Sequence, residues 1–223
     1  MGPLDDFQTQ NQPVKIERRD AAEEQRRRLF DELMNDNKDS KDGTISGGEK
    51  RQSDGPIVSD RGQISSMTMP ANFESGKQVS GTFANNNFKE YHLSSNANVK
   101  FYFEYRGSRM GAESSRVFHD TLERAPHSLT PQEIESLHQV LGANRSNKED
   151  FKINSAKTED LNGKRVLTIE GRYPQHGLSA RTIFIDSDGT GSAVQEVTFQ
   201  APTAEFFKNT SVSLNALKSI RWK

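Results

Sequence analysis

Four strand-like segments follow one another in the last third of the chain with only short turns between them, and they restrict the fold more than any other feature. Apolar, β-branched and aromatic residues mark each segment. The segments are 150–157, 164–173, 179–186 and 193–201. The connections contain Asn162-Gly163, "PQHG" and "SDGTG", which are typical of tight turns. Because strands joined by such short turns pair antiparallel, the sequence predicts an antiparallel meander.

A further half-buried strand is predicted at 98–107, where aromatic and polar residues alternate. Side chains two residues apart lie on one face of a strand, so this segment would have one apolar and one mixed face. The two sets are Val99, Phe101, Phe103 and Tyr105, and Lys100, Tyr102, Glu104 and Arg106. The preceding segment 89–93 would pair with this strand through a turn at 94–98.

Helical periodicity occurs in three places. The first is 114–124, and the last, 206–220, closes the domain. The second, 130–141, has the most complete start signal, with Thr130 as N-cap and Glu133 three residues later. The element order is therefore β-β-α-α-β-β-β-β-α. We predict an α+β fold in which helices pack on a twisted antiparallel sheet of about six strands.

The first 66 residues differ in composition from the rest of the chain. Their only aromatic residues are Phe7 and Phe30, whereas every Tyr and the single Trp lie beyond residue 90. A segment so poor in large apolar side chains cannot offset the entropy that it would lose on ordering, about 1–2 kcal/mol per residue for the backbone. We therefore predict a flexible, largely disordered polar arm over 1–66 and a single domain over 67–223.

One short amphipathic helix is predicted inside the arm, at about 20–35, where residues of opposite charge lie four positions apart. Its apolar stripe is a candidate docking surface for a partner, although a solitary helix without a partner fits the same pattern. The residues of the stripe are Leu29, Phe30, Leu33 and Met34.

Eight residues and the order of elements around them form a pattern over roughly 85–223. The residues are Asn162, Gly163, Lys164, Ala201, Pro202, Phe206, Ser219 and Ile220. This pattern resembles the C-terminal half of PsbP-like domains, and the same architecture is found in the DcrB lipoprotein group and in the Eag chaperones of type VI secretion. The resemblance implies a non-catalytic, accessory domain that binds other proteins and is often exported and membrane-associated.

The chain departs from that pattern in showing no signal sequence and no lipobox cysteine, and its polar arm has no counterpart there. Its compartment is therefore left open: extracytoplasmic, either periplasmic or lumenal, if a signal has been removed, and cytoplasmic otherwise. No apolar run approaches the roughly 20 residues needed to span a bilayer, so we expect no transmembrane segment. Peripheral association with a membrane remains open.

Two short acidic stretches resemble halves of an EF-hand calcium loop, which needs oxygen ligands along its whole length. In the first, 38–49, Asp42 and Glu49 fit the loop, but a lysine stands at its first position. In the second, Asp186 and Asp188 fit the start of the loop, but a valine stands where the final glutamate belongs. We therefore predict no metal site, with these four acidic residues as weak candidates. A calcium-responsive protein that uses 38–49 remains an alternative.

Known catalytic and cofactor motifs are missing from the sequence. It has no cysteine, no Gly-x-Ser-x-Gly elbow and no phosphate-binding loop, and its five histidines lack metal-ligand spacing. We expect no cofactor and no enzymatic activity, although residues that converge only in three dimensions remain an alternative. The net charge of −1 and the lack of a long basic run argue against a nucleic-acid partner.

The mixed face of the strand at 98–107 is the best candidate for a binding surface in the domain. Tyr102 would lie there between charged side chains, with Arg106 and Arg109 nearby, and Tyr and Arg are enriched at interaction hot spots. Cover by helices of the same domain is the alternative. The sequence thus favours a protein-interaction or accessory function with an unidentified protein partner.

Overall fold

The structure is a computed structural model that describes residues 55–76, 88–108 and 110–223. For 106–108, 143 and 144 it describes the backbone and not the side chains. Several predicted features lie outside the described residues, namely the arm helix at about 20–35 with its apolar stripe, Asp42, Glu49 and Arg109.

The described residues form ten strands, six α-helices and one 3₁₀ helix (Pro174–His176). The strands are β1 (Ile57–Arg61), β2 (Ile64–Thr68), β3 (Phe73–Ser75), β4 (Phe88–Leu93), β5 (Asn96–Ser108), β6 (Lys152–Leu161), β7 (Lys164–Tyr173), β8 (Leu178–Asp186), β9 (Ala193–Pro202) and β10 (Arg221–Trp222). The helices are α1 (Ala112–Glu123), α2 (Pro131–Ser136), α3 (His138–Leu141), α4 (Ala143–Ser146), α5 (Thr203–Lys208) and α6 (Thr210–Lys218).

A seven-stranded antiparallel sheet forms the centre of the fold, with the strand order β3-β4-β5-β9-β8-β7-β6. Strands β6 to β9 are the meander that the turn sequences predict, and all six predicted strands are present as β4 to β9. In the β6–β7 turn, Asn162 and Gly163 both have positive φ angles, 52° and 84°, as a two-residue hairpin turn requires. The predicted α+β fold with an antiparallel sheet is confirmed.

Two predicted helices are each divided into two. The helix predicted at 130–141 breaks at Leu137, and the closing helix breaks at Asn209. The side-chain amide of Asn209 donates to the carbonyl of Glu205 at 2.8 Å, which competes with continuation of the helix. Apolar periodicity continues across both breaks, so periodicity alone does not reveal them. No helix among the described residues is long and apolar enough to cross a membrane.

A second, three-stranded sheet with the order β1-β2-β10 packs on the large sheet. Its strands β1 and β2 include most of residues 57–66, which the composition predicts to belong to the arm, and Val58 and Ile64 are fully buried. The predicted boundary at residue 66 therefore falls inside β2. Composition averaged over the first 66 residues hides this hairpin, because only one face of each strand is apolar.

The large sheet buries side chains on both of its faces, which we call face A and face B. On face A, Phe101 and Phe199 pack beneath the small sheet and helices α5 and α6. On face B, Leu167 and Phe184 pack beneath α1 and α3. The fold therefore has three layers, and the large sheet is the middle layer.

Candidate interaction surface

Two of the residues that carry the resemblance hold the C-terminal segment in place, Asn162 from the large sheet and Ser219 through a bond to the small sheet. Asn162, in the β6–β7 turn, donates its side-chain amide to the backbone carbonyls of Lys218 and Ile220, both at 2.7 Å. The Ser219 hydroxyl accepts a hydrogen bond from the backbone N–H of Thr68 at 2.8 Å. These contacts stabilise the fold.

A row of four side chains crosses face B where β4, β5, β9 and β8 lie side by side. Phe88 of β4 is opposite Glu104 of β5, and Glu104 is opposite Glu196 of β9. Glu196 is in turn opposite Phe184 of β8. Residues directly opposite each other have Cβ atoms about 4.5–5.5 Å apart on the same face. The row therefore consists of two Phe–Glu pairs in mirror order, with the two carboxylates in its centre.

Arg145, on α4, contacts one of the two Phe–Glu pairs, Phe184 and Glu196. Its Nη1 donates to Glu196 Oε2 at 2.8 Å, and its guanidinium carbon lies 5.5 Å from the centre of the Phe184 ring. Its Nη2 donates to the Thr198 hydroxyl at 3.3 Å. Only 8% of Arg145 and 1% of Glu196 is exposed. Burial is the largest single effect on the pKa of Arg145 and would lower it, but Glu196, Tyr102 and Tyr173 together raise it, so the guanidinium stays charged.

Tyr102, a predicted binding residue, lies half-buried in the neighbouring row of face B. Its ring stacks on that of Phe88, with 5.9 Å between the centroids and 29° between the planes. Its hydroxyl lies 3.4 Å from Nη2 of Arg145 and 3.5 Å from Oε1 of Gln200. Tyr102 therefore connects the buried Arg145 to the exposed ring of Phe88.

The part of face B on β4 and β5 forms a surface that we call the platform, made of Phe88, Glu90, Lys100, Tyr102 and Glu104. Glu90 and Lys100 form an ion pair at 3.2 Å. Glu104 forms no ion pair and no side-chain hydrogen bond within the described residues. Phe88 is 40% exposed. The platform thus presents an exposed aromatic ring next to a carboxylate that no described cation neutralises.

Of the three predicted patch residues, the structure describes Tyr102 in full and Arg106 by its backbone. Tyr102 is on the platform, and the backbone of Arg106 continues β5 next to an irregularity in its pairing with β9. The side chain of Arg106 and all of Arg109 lie outside the described part of the chain.

Two residues at this surface, Phe88 and Arg145, lie outside the patch that the sequence predicts. Phe88 stands one position before the predicted strand 89–93. An extension of that strand by one residue would have placed Phe88 on the same face as Glu90. Arg145 lies in a short segment without periodicity, and it meets Glu196 across 51 positions. No local pattern reveals a contact of that kind.

The acidic side chains in the β8–β9 loop, Asp186 and Asp188, are engaged by the loop itself. Asp186 accepts from the backbone N–H of Gly191 at 2.9 Å, and Asp188 accepts from that of Thr190 at 3.0 Å. Burial alone would raise the pKa of Asp188, but hydrogen bonds from Ser192 and Thr190 lower it. These carboxylates shape a turn. The residues that the structure describes contain no group of three or more His, Asp or Glu side chains placed to hold a metal ion.

Comparisons with known proteins identify the fold. No family model and no curated protein matches this chain. Among solved structures, the chain is similar to the cyanobacterial PsbP protein (CyanoP) of Synechocystis sp. PCC 6803, with a TM-score of 0.52 and 12% identity over 81% of this chain and 98% of that one. The fold is therefore PsbP-like, and at this identity the likeness concerns the fold alone.

Two further solved structures are similar at lower TM-scores. One is a protein from Bacteroides thetaiotaomicron VPI-5482, with a TM-score of 0.41 and 12% identity over 76% of this chain. The match spans 48% of that longer protein. The other is PA94, a protein of unknown function from Pseudomonas aeruginosa, with a TM-score of 0.40 and 13% identity over 76% of this chain and 99% of that one.

Proposed function

We propose that this chain is a non-enzymatic accessory domain that binds another protein through the platform. The observation that carries the proposal is the Phe88–Tyr102 stack, whose outer ring is 40% exposed on a face that helices cover elsewhere. Aromatic side chains bury a large apolar area on binding and are enriched at interaction hot spots. The stack is therefore the part of face B best suited to a protein partner.

The order of the platform before binding supports the proposal. Tyr102 is held by Arg145 and Gln200, and β5 is paired with β4 on one side and β9 on the other. A surface that is already ordered loses little conformational entropy when a partner binds. A PsbP-like fold is compatible with an accessory or interaction role.

Two finer parts of the proposal concern the arm and the compartment. The arm helix predicted at about 20–35 would give the partner a second contact through its apolar stripe, and deletion of 1–54 would then weaken the complex. The resemblance to PsbP-like domains implies that this protein is exported and lies at a membrane surface. Cell fractionation tests that location independently of any partner.

Site-specific photo-crosslinking in the organism's own cells tests binding through the platform. Benzoylphenylalanine replaces Phe88 in the full chain, and a matched variant carries it at Phe207, which is 49% exposed on α5. We expect a discrete crosslinked protein, identified by mass spectrometry, from position 88 and not from position 207. Equal products from both positions, or none from position 88, would contradict the proposal.

A further inference from the structure

The two Phe–Glu pairs in the row across face B are built alike, and one of them holds an arginine. We propose that the other pair, Phe88–Glu104, is a clamp for an arginine side chain of the protein partner. This inference rests on the proposed function, because it assigns the chemistry of the group that the platform binds.

The buried pair shows how such a clamp works. Phe184 and Glu196 are cross-strand partners on β8 and β9. The guanidinium of Arg145 lies 5.5 Å from the Phe184 ring centre and donates to the Glu196 carboxylate at 2.8 Å. The ring attracts the cation through its electron-rich face, and the carboxylate accepts a charge-assisted hydrogen bond. Each residue of the pair thus contacts a different part of the same guanidinium.

The platform repeats this arrangement in mirror order. Phe88 and Glu104 are also cross-strand partners, and they lie in the same row and on the same face as Phe184 and Glu196. The two pairs differ in exposure: Phe184 is fully buried, whereas Phe88 is 40% exposed. Tyr102 supports the Phe88 ring by stacking on it. The Phe88–Glu104 pair is therefore accessible to a side chain that arrives from another molecule.

Charge favours a cation at this place. Glu104 lies directly opposite Glu196, and the charge of Glu196 is already balanced by Arg145 at 2.8 Å. The other platform carboxylate, Glu90, is paired with Lys100. Glu104 has no ion pair within the part of the chain that the structure describes. A guanidinium beside Glu104 would balance its charge as Arg145 balances that of Glu196.

Arginine suits such a pair better than lysine. The guanidinium is planar and weakly hydrated, so it can lie on an aromatic ring while its in-plane N–H groups point at a carboxylate. The ammonium of lysine is compact and strongly hydrated, and it offers no flat surface to the ring. Selectivity for arginine over lysine therefore separates a clamp from a merely acidic surface.

Titration of the full chain with short peptides tests the clamp. The probes are the end-capped peptide Gly-Ser-Arg-Ser-Gly and two matched peptides with lysine or citrulline in place of arginine. Binding is measured from the amide chemical shifts of the ¹⁵N-labelled protein. We expect saturable shifts confined to β4 and β5 with the arginine peptide, at least fivefold weaker binding of the lysine peptide, and no binding of the neutral citrulline peptide.

Variants of the pair locate the binding. We expect Glu104→Gln and Phe88→Ser each to raise the dissociation constant of the arginine peptide at least threefold. Glu123→Gln and Phe207→Ser are matched controls at exposed positions outside the platform, and they should leave the dissociation constant unchanged. Amide spectra of each variant establish that the fold is intact. Equal binding of the arginine and lysine peptides, or unchanged affinity in Glu104→Gln, would overturn the clamp.

Other sources of arginine give distinct results. Arg106 and Arg109 of the same chain are tested by a double alanine variant: an arginine peptide that binds only after their removal shows a clamp already filled from within, which overturns the proposal. Sedimentation that shows self-association, abolished by Glu104→Gln, assigns the arginine to a second copy and overturns the assignment to a different protein.

The clamp and the proposed function fail separately. Crosslinking from position 88 without arginine selectivity keeps the interaction surface and rejects the clamp. Arginine selectivity without a crosslinked partner in cells keeps the chemistry of the pair and rejects the function proposed for the platform.

Discussion

Arg145 and Glu196 bury opposite charges 2.8 Å apart beside the platform, and removal of one of them costs more stability than removal of both. Loss of one partner leaves the other charge in a poorly solvated place, which costs about 3–5 kcal/mol, whereas replacement of both by apolar residues is often neutral. We expect Arg145→Met to lower the free energy of unfolding by that amount in urea denaturation. Adding Glu196→Leu should restore most of the loss, and equal losses in the single and double variants would contradict the charge argument.

Glu133 makes the start of α2 sensitive to pH. Its carboxylate accepts hydrogen bonds from the backbone N–H of Thr130 at 2.8 Å and from Nη1 of Arg124 at 2.6 Å. The Thr130 bond is the largest cause that lowers the pKa of Glu133 from 4.5 to about 2. Because the pKa in the folded state is the lower one, the stabilisation is complete above about pH 4.5 and is lost as the pH falls toward 2.

Glu133→Gln should therefore be less stable than the parent protein at pH 6 and approach it as the pH falls toward 2.5. Thermal unfolding of the two proteins at several pH values measures the difference. A difference in Tm that stays constant over that range would show that Glu133 acts without its charge.

At the scale of elements, the β6–β7 turn does more than connect two strands. Asn162 donates two hydrogen bonds of 2.7 Å to the carbonyls of Lys218 and Ile220, so it joins the turn to the C-terminal segment. We expect Asn162→Ala to cost about 3 kcal/mol in the free energy of unfolding, from two lost hydrogen bonds of about 1 kcal/mol each and about 1 kcal/mol of left-handed backbone strain.

Gly163→Ala is the matched control for that turn. Gly163 has a φ of 84°, and an added Cβ would have no atom within 4 Å, so this variant carries the backbone strain alone. We expect it to lose about 1–2 kcal/mol in urea denaturation. Equal losses in the two variants would mean that the bonds from Asn162 contribute nothing.

The elements that the sequence predicts are those with a strong local pattern. Strands β4 to β9 each show apolar residues in strand periodicity, and the Thr130–Glu133 capping box forms as its spacing indicates. Strands β1, β2 and β10 and helix α4 carry only a few apolar residues each, and distant contacts stabilise them. The two residues of β10, for example, pair with β2 from the far end of the chain.

The candidate site, too, was predictable only where a local pattern in the sequence determines it. Alternation along β5 places Tyr102 on the mixed face, as the structure shows. Whether that face is open depends on which helices lie over it, and the ring that extends the surface, Phe88, comes from a different strand. Contacts of this kind are set by the packing of the whole domain, so a local pattern in the sequence does not contain them.

At the scale of the whole molecule, the two faces of the large sheet have different cover. Face A is packed beneath a second sheet and two helices, and its core includes Phe101 and Phe199. On face B, α1 and α3 cover the apolar side chains of Leu167 and Phe184, and the neighbouring platform carries charged residues and an exposed ring. Both faces of the sheet thus contribute to the core, and face B also carries the accessible platform.

The contribution of the small sheet to the face A core decides where the folded domain begins. Ile64 on β2 is fully buried in that core, whereas Ile57 on the adjacent β1 is 68% exposed. We expect Ile64→Ala in the full chain to lose about 2–5 kcal/mol in the free energy of unfolding, because it leaves a cavity in a packed core. Ile57→Ala removes the same atoms from a surface position and should change stability by less than about 0.5 kcal/mol. Urea denaturation of both variants separates the two cases, because a silent Ile64→Ala would mean that residues before 67 do not belong to the core.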